Sequence, residues 1–184
     1  MNFKTKIVLV GILGLSIIYT CLAISIALSP WFSWLRNALS DLGHSVKSNV
    51  AAIFNLGLVL GGFLIAQYAI LLLLKVRRMF TYYFLAFSGF CLQLIGVFDE
   101  VYGVIHFIVS LTFFLTIMIA TAFYVFEGRS KVASISLLVE VGSWFVYFLS
   151  FLKIGIAVPE LISVVAATIW ITKDMYSIVR SLWF

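Results

Sequence analysis

The sequence predicts an all-α, polytopic membrane protein: a bundle of six transmembrane helices with an interfacial helix in its first outer loop. Hydrophobic residues make up 64% of the 184 positions and charged residues only 10%, whereas soluble domains are nearer half apolar and a quarter charged. The apolar residues form runs of about twenty, the length that an α-helix needs to cross a bilayer. The alternating pattern of a membrane barrel is missing from these runs.

Six segments are long and apolar enough to span. Five of them are 7–28, 50–74, 79–98, 104–126 and 132–152, and the sixth, 159–179, is weaker because Lys173 and Asp174 fall near its end. A backbone that crosses lipid must satisfy its own hydrogen bonds, so each segment is predicted to be helical. The first run is longer than a signal-peptide core and no small-residue cleavage site follows it, so we expect it to be retained. Residues 1–184 are predicted to form a single transmembrane domain.

The positive charges are distributed unevenly over the connections. Of the twelve basic residues, nine fall on one side of a six-span arrangement, and only Arg36, Lys47 and Lys153 fall on the other. This is the positive-inside pattern, which predicts a multi-pass protein of the cell membrane with both termini cytoplasmic. The basic excess is therefore an orientation signal, and no nucleic-acid partner is predicted.

The longest connection, residues 29–49, contains a polar stretch, NALSDLGHS, at 37–45. Asn37, Asp41 and His44 recur there at helical spacing, and Trp31, Leu35 and Leu42 lie on another stripe. Such a segment suits a short helix in the membrane interface, with its tryptophans at head-group depth. Two interpretations stay open at this point. The polar stripe faces water and the segment is an anchor, or the stripe turns inward as the lid of a pocket.

Polar residues in and beside the spans favour the pocket, because they gather in the outer half of the predicted bundle. They are Asn55, Gln93, Asp99, Glu100, His106 and Ser110. We therefore expect Asp41 and His44 to lie within about one side-chain length of Asp99, Glu100 or His106, since desolvated polar groups need partners. The inner half has Gln67 and little else, which argues against a path for a transported substrate.

Glu140 lies near the middle of the fifth predicted span. An ionised carboxylate facing lipid there is costly, so we expect the side chain to face the bundle interior, paired or protonated. A structural hydrogen bond to Asn55 or Gln93, a proton relay and a substrate contact are all compatible with that position. On the second span, Gly57 and Gly61 form a GxxxG pattern that predicts close packing within the bundle.

Three stretches carry a resemblance to a known family: WFSWLRNALSDLGHS (31–45), NVAAIFNLGLVLGG (49–62) and LIGVFDEVYGVIHFIVSLTFF (94–114). The matching positions are Asn37, Leu39, Ser40, Asp41, Leu42, Gly43, Phe54, Asn55, Gly57, Leu58, Gly96, Phe98, Glu100, Ile105 and His106. This order of motifs resembles the bacterial and archaeal membrane family known as domain of unknown function nine-nine-eight. It is more distantly similar to the eukaryotic Frag/DRAM/Sfk group, which includes proteins of GPI-anchor lipid remodelling and autophagy modulators. The resemblance implies six spans and a lipid context, but no mechanism.

The candidate catalytic residues are His44, His106, Asp41 and Ser40, and the candidate substrate-binding residues are Asn37, Asn55, Gln93, Asp99, Glu100 and Glu140. Asp41 could orient His44 as a base, with Ser40 as a nucleophile, and His106 could pair with Glu100 or Asp99. No metal or other cofactor is predicted. Zinc held by Asp41, His44, Asp99 and His106 is a minor alternative, because no dense ligand motif is present.

These residues predict a membrane protein that handles or modifies a lipid head group at an outer-leaflet polar pocket, with membrane lipid as its partner. A noncatalytic interaction or structural protein is the first alternative, since it could have the same pocket. A small transporter is the second. Whether the protein is an enzyme, and its oligomeric state, stay open.

Overall fold

The computed structural model describes residues 2–75, 78–149 and 154–180, and six long helices account for most of them. They are α1 (Phe3–Ala27), α2 (Ala51–Leu73), α3 (Met79–Val97), α4 (Val104–Gly128), α5 (Lys131–Phe148) and α6 (Ala157–Arg180). All six are long and apolar enough to cross a membrane. The predicted fold class is therefore confirmed. Residues 150–152 of the fifth predicted span, and Lys153 after it, lie outside the described residues.

Each helix packs against the next along the chain, and α6 closes the bundle by contacting α1 and α4. The connection between α1 and α2 lies at one end of the bundle, which we call the loop face. At the opposite end, which we call the terminal face, α1 begins and α6 ends. The largest apolar core lies in the terminal half and is rich in aromatic side chains, among them Tyr68, Tyr82, Tyr124 and Trp170.

Glycines let α2 approach its neighbours backbone to backbone. A Cβ built on Gly61 would lie 3.0 Å from the carbonyl oxygen of Gly14 in α1, and one on Gly62 would lie 2.7 Å from that of Gly89 in α3. No larger side chain fits at such separations without moving a helix. The GxxxG pattern therefore serves packing within the bundle, as predicted.

The first connection differs from its prediction. Only Leu39–Gly43 is helical, as a five-residue 3₁₀ helix, so no single helix carries the whole polar stripe. Leu42 is fully buried against Val50 and Phe54, and its predicted place in the interface is wrong. It is drawn inward because Asn55 Nδ2 donates a hydrogen bond of 2.8 Å to the carbonyl oxygen of Gly43, which fastens the 3₁₀ helix to α2.

Candidate functional site

The first connection is docked across the loop face by hydrogen bonds to the start of α6. Leu39 donates its N–H to Glu160 Oε2 over 2.7 Å. The N–H groups of Gly155 and Ala157 donate to the carbonyl oxygens of Trp34 and Asn37, each over 3.0 Å. These bonds join segments far apart in the chain, so they hold the loop in place above the ends of the helices.

Beneath this loop is a pocket of about 420 Å³, which we call the loop-face pocket. Its lining residues are Trp31, Asn37, Asp41, His44, Lys47 and Glu100. Asp41 is oriented locally, because its Oδ2 accepts hydrogen bonds from Asn37 Nδ2 at 2.6 Å and from the backbone N–H of Ala38 at 3.0 Å. The structure thus places three of the predicted polar residues of the loop in one wall, together with Glu100 from the connection between α3 and α4.

Asp41 and Glu100 place two carboxyl groups in the lining of the same pocket, and we call them the carboxyl pair. Burial, followed by the neighbouring carboxyl group of Asp41, raises the pKa of Glu100 to about 7, although Lys47 acts in the opposite direction. Glu100 Oε2 is buried and receives no hydrogen bond from a donor within the described ranges. Two ionised carboxylates in one pocket lining would repel each other, and this repulsion favours a proton on Glu100.

Asp99 lies beside the pocket and holds its wall together rather than lining it. Its Oδ1 accepts a hydrogen bond from the N–H of Val101 at 2.9 Å, and its Oδ2 accepts one from the N–H of Ser45 at 3.3 Å. Burial alone would raise the pKa of Asp99, but these hydrogen bonds and the nearby His44 lower it below its ordinary value. Asp99 is therefore an ionised anchor that ties the loop to the start of a short 3₁₀ helix, Glu100–Tyr102.

The structure separates His106 from the pocket. The ring is buried, its Nδ1 donates to the carbonyl oxygen of Phe98 at 2.8 Å, and its Nε2 lies 3.3 Å from Ser110 Oγ. Because the carbonyl can only accept, Nδ1 carries the proton and Nε2 accepts from the serine. Both ring nitrogens are thus engaged in holding α4 to the end of α3.

Three other candidates also lie away from the pocket lining. Ser40 belongs to the 3₁₀ helix of the loop but does not line the pocket. Asn55 serves the loop through its bond to Gly43, and Gln93 Nε2 donates to the carbonyl oxygen of Gly89 on its own helix at 3.3 Å. Among the described His, Cys, Asp and Glu side chains, no group of three or more could hold a metal ion. The alternative zinc set of Asp41, His44, Asp99 and His106 is therefore not assembled.

Glu140 is fully buried inside the bundle, as predicted, but its partner differs. Thr121 Oγ1 donates to Glu140 Oε1 at 3.0 Å, and Trp170 Nε1 donates to Thr121 Oγ1 at 2.9 Å. The predicted partners, Asn55 and Gln93, are wrong because α5 packs against α4 and α6, whereas these residues lie on α2 and α3. Glu140 thus joins a hydrogen-bonded chain far from the loop-face pocket.

Sequence reasoning missed several residues that build the site. Trp31 and Lys47 line the pocket, but the sequence pattern predicts only an interface anchor for the first and an orientation charge for the second. Glu160 lies at the start of a helix, where a carboxylate is common. The sequence therefore gives no sign of its hydrogen bond with Leu39. For Trp31 and Lys47, the sequence offers one signal, which is that they lie on either side of the polar stretch.

A second polar centre, at Asp174, lies in the terminal half. Asp174 Oδ2 accepts hydrogen bonds from the hydroxyls of Tyr68 at 2.9 Å and Tyr82 at 2.7 Å. Its Oδ1 accepts one from the Tyr124 hydroxyl at 2.9 Å and forms an ion pair with Arg78 Nη1 at 3.0 Å. The expectation that the inner half has little beyond Gln67 is therefore wrong. A hydropathy pattern does not reveal this centre, because tyrosine is counted there as an apolar residue.

The fold and the loop-face pocket define a multi-pass helical membrane protein with a polar pocket at one end of its bundle. The chain belongs to the family described as Protein of unknown function (DUF998), whose model matches residues 12–173. This range includes every residue that lines the pocket, and it confirms the resemblance seen in the sequence motifs. The more distant likeness to the Frag/DRAM/Sfk group stays a prediction. Comparisons with curated proteins and with solved structures found no match.

Proposed function

We propose that the protein binds the head group of a membrane lipid in the loop-face pocket, and that this head group carries a protonated amine beside its phosphate. One observation supports the proposal above the others. The pocket lies at the end of membrane-spanning helices and is lined both by the Asp41–Glu100 carboxyl pair and by Lys47. A lipid head group occupies the same depth, at the boundary between hydrocarbon and water.

The charges of the pocket match the two ends of such a head group. A carboxylate pair attracts an ammonium group, and an aromatic ring such as that of Trp31 adds cation–π attraction. Lys47 offers a positive charge to the phosphate. Because Asn37 and the backbone orient Asp41 before any ligand arrives, little ordering is required on binding.

The carboxyl pair also provides a means of moving a proton. With the pKa of Glu100 at about 7, this carboxyl group gains and loses a proton near neutral pH, which is the requirement for general acid–base chemistry. His44 lies in the same pocket lining. Modification of the bound head group, where it occurs, would use these groups, whereas His106 and Ser40 lie off the pocket.

Titration of the purified protein in an uncharged detergent tests the proposal. Dihexanoyl phosphatidylethanolamine supplies the amine and phosphate, and dihexanoyl phosphatidylglycerol supplies the phosphate alone. We expect the amine lipid to bind more tightly, and Lys47→Ala to weaken its binding about tenfold, as loss of a charge-assisted contact does. Arg36→Ala is the matched control, because Arg36 is an exposed cation of the same loop that does not line the pocket.

The proposal fails if neither lipid binds, or if Arg36→Ala weakens binding as much as Lys47→Ala. Equal affinity for the two lipids would retain a head-group site but reject the amine.

A further inference from the structure

A cavity of about 630 Å³, larger than the loop-face pocket, lies at the terminal face where α1, α2, α3 and α6 meet. We call it the terminal-face cavity. Its polar lining residues are Asn2, Lys4, Lys75, Arg78, Tyr82, Asp174 and Ser177, and its apolar ones are Phe3, Ile7, Leu72 and Ile178. The cavity therefore combines a charged lining with an apolar one at the level where the helices end.

The charge of this lining is positive. Among the described residues that line the cavity, Asp174 is the only acidic side chain, and Arg78 already neutralises it through an ion pair of 3.0 Å. Lys4 and Lys75 add two further positive charges. The ammonium group of Lys75 lies 5.6 Å from the centre of the Phe3 ring, so a cation–π contact directs it towards the start of α1.

Arg78 is fixed in place more firmly than a surface arginine. Besides the bond to Asp174, its guanidinium lies over the Tyr124 ring at 4.7 Å from the ring centre, and 31% of its side chain stays exposed. A guanidinium has five N–H donors in a planar fork. Asp174 and its three tyrosines thus hold a cation in the cavity lining with donors to spare, which is the usual arrangement for recognising a phosphate.

We infer that the terminal-face cavity binds an anionic phosphate group, a second site separate from the loop-face pocket. Arg78 would supply planar donors, Lys4 and Lys75 would supply charge, and Ile7 and Leu72 would contact an adjoining apolar part of the ligand. Two sources offer this chemistry: a phospholipid of the adjacent leaflet, whose acyl chains would follow the apolar lining, or a soluble phosphate ester. Both bind through the same cations.

Native mass spectrometry of the full chain in detergent tests the inference, with dioleoyl phosphatidylglycerol and dioleoyl phosphatidylcholine as probes. We expect preferential retention of phosphatidylglycerol. Lys75→Ala should weaken its binding about fivefold, the usual effect of one basic residue near an anionic lipid. Lys75 is exposed, so this variant is expected to fold, and Lys75→Arg should preserve the affinity because it keeps the charge.

Lys131→Ala is the matched control, because Lys131 is an exposed lysine at the same face that does not line the cavity. Competition by glycerol 3-phosphate identifies a soluble ester as a source, and its failure to compete identifies the lipid. Equal retention of both lipids, unaltered binding in Lys75→Ala, or an equal loss in Lys131→Ala would overturn the inference.

Discussion

The carboxyl group of Asp41, in the first loop, and that of Glu100, which lies beyond the third spanning helix, line the same loop-face pocket. The two connections at the loop face thus meet in one wall of the pocket, where the pKa of Glu100 is raised to about 7. Because Glu160 holds the loop from the other side through Leu39, three separate parts of the chain determine where the pair lies.

The Asp41–Glu100 pair should make stability depend on pH. The pKa of Glu100 is about 7 in the folded protein and about 4.3 in an unfolded chain, so the folded state binds more protons between these values. The stability that Glu100 contributes is therefore full below about pH 4 and is lost as the pH rises through about 7. Glu100→Gln cannot ionise, so its thermal unfolding temperature should fall less than that of the wild type between about pH 5 and pH 8.

Glu127→Gln makes the same chemical change at the terminal face, where Glu127 bonds to Thr81. It controls for the loss of a glutamate side chain elsewhere in the protein, and the two variants are compared for their slopes against pH. A Glu100→Gln slope equal to that of the wild type would show that the pKa of Glu100 is not raised in the folded protein.

Gly155 should be needed for docking of the loop. A Cβ there would lie 2.7 Å from the carbonyl oxygen of Asn37 and 2.8 Å from that of Trp34, so Gly155→Ala must push the loop off the start of α6. We expect a loss of about 1–3 kcal/mol in the free energy of unfolding, together with weaker lipid binding at the loop-face pocket. Gly142→Ala is the control, since a Cβ there meets nothing within 4 Å. Equal stability of the two variants would contradict the docking.

The Asp174 centre should contribute strongly to stability. Tyr82→Phe removes a buried hydrogen bond of 2.7 Å to Asp174 Oδ2, and loss of one partner from a buried pair costs about 1–3 kcal/mol. The adjacent Tyr83 is 58% exposed, so Tyr83→Phe should change stability by no more than about 0.5 kcal/mol. Reversible unfolding in mixed detergent micelles measures both variants. Similar values for the two would show that the tyrosine cluster is not a structural centre.

Orientation in the membrane stays a prediction from charge, with the terminal face on the cytoplasmic side. On intact cells, a maleimide that cannot cross the membrane should label a cysteine placed at Lys47 and spare one placed at Lys131. The native Cys21 and Cys91 would be replaced by serine beforehand. Labelling of Lys131→Cys alone would reverse the topology and place the loop-face pocket inside the cell.

Hydropathy was sufficient to predict the six helices, because the length of an apolar run and the need to satisfy backbone hydrogen bonds leave little choice in a bilayer. The same pattern also predicted that Asp41, His44 and Glu100 lie at the same face of the bundle. Their meeting in one pocket follows from short connections, which leave few places for polar groups at that depth.

Pairings between helices could not be predicted in the same way. Glu140 bonds to Thr121 because α5 lies against α4, and a hydropathy pattern does not say which helices are neighbours. Asp174, next to Lys173 near the end of a span, has the appearance of a solvated helix end. Its partners come from three other helices and from Arg78, so only the packing of the bundle reveals them.

The central claim is that an amine-bearing lipid head group sits against the Asp41–Glu100 pair. Solid-state NMR of the protein in bilayers can measure this directly, with ¹³C in the aspartate and glutamate carboxyl groups and ¹⁵N in the ethanolamine of the lipid. We predict dipolar dephasing of the Glu100 carboxyl signal by the ammonium nitrogen, with the signal assigned by its absence in Glu100→Gln. If the Glu100 carboxyl shows no dephasing in bilayers of the ¹⁵N-labelled lipid, no amine head group occupies the pocket and the proposed function is wrong.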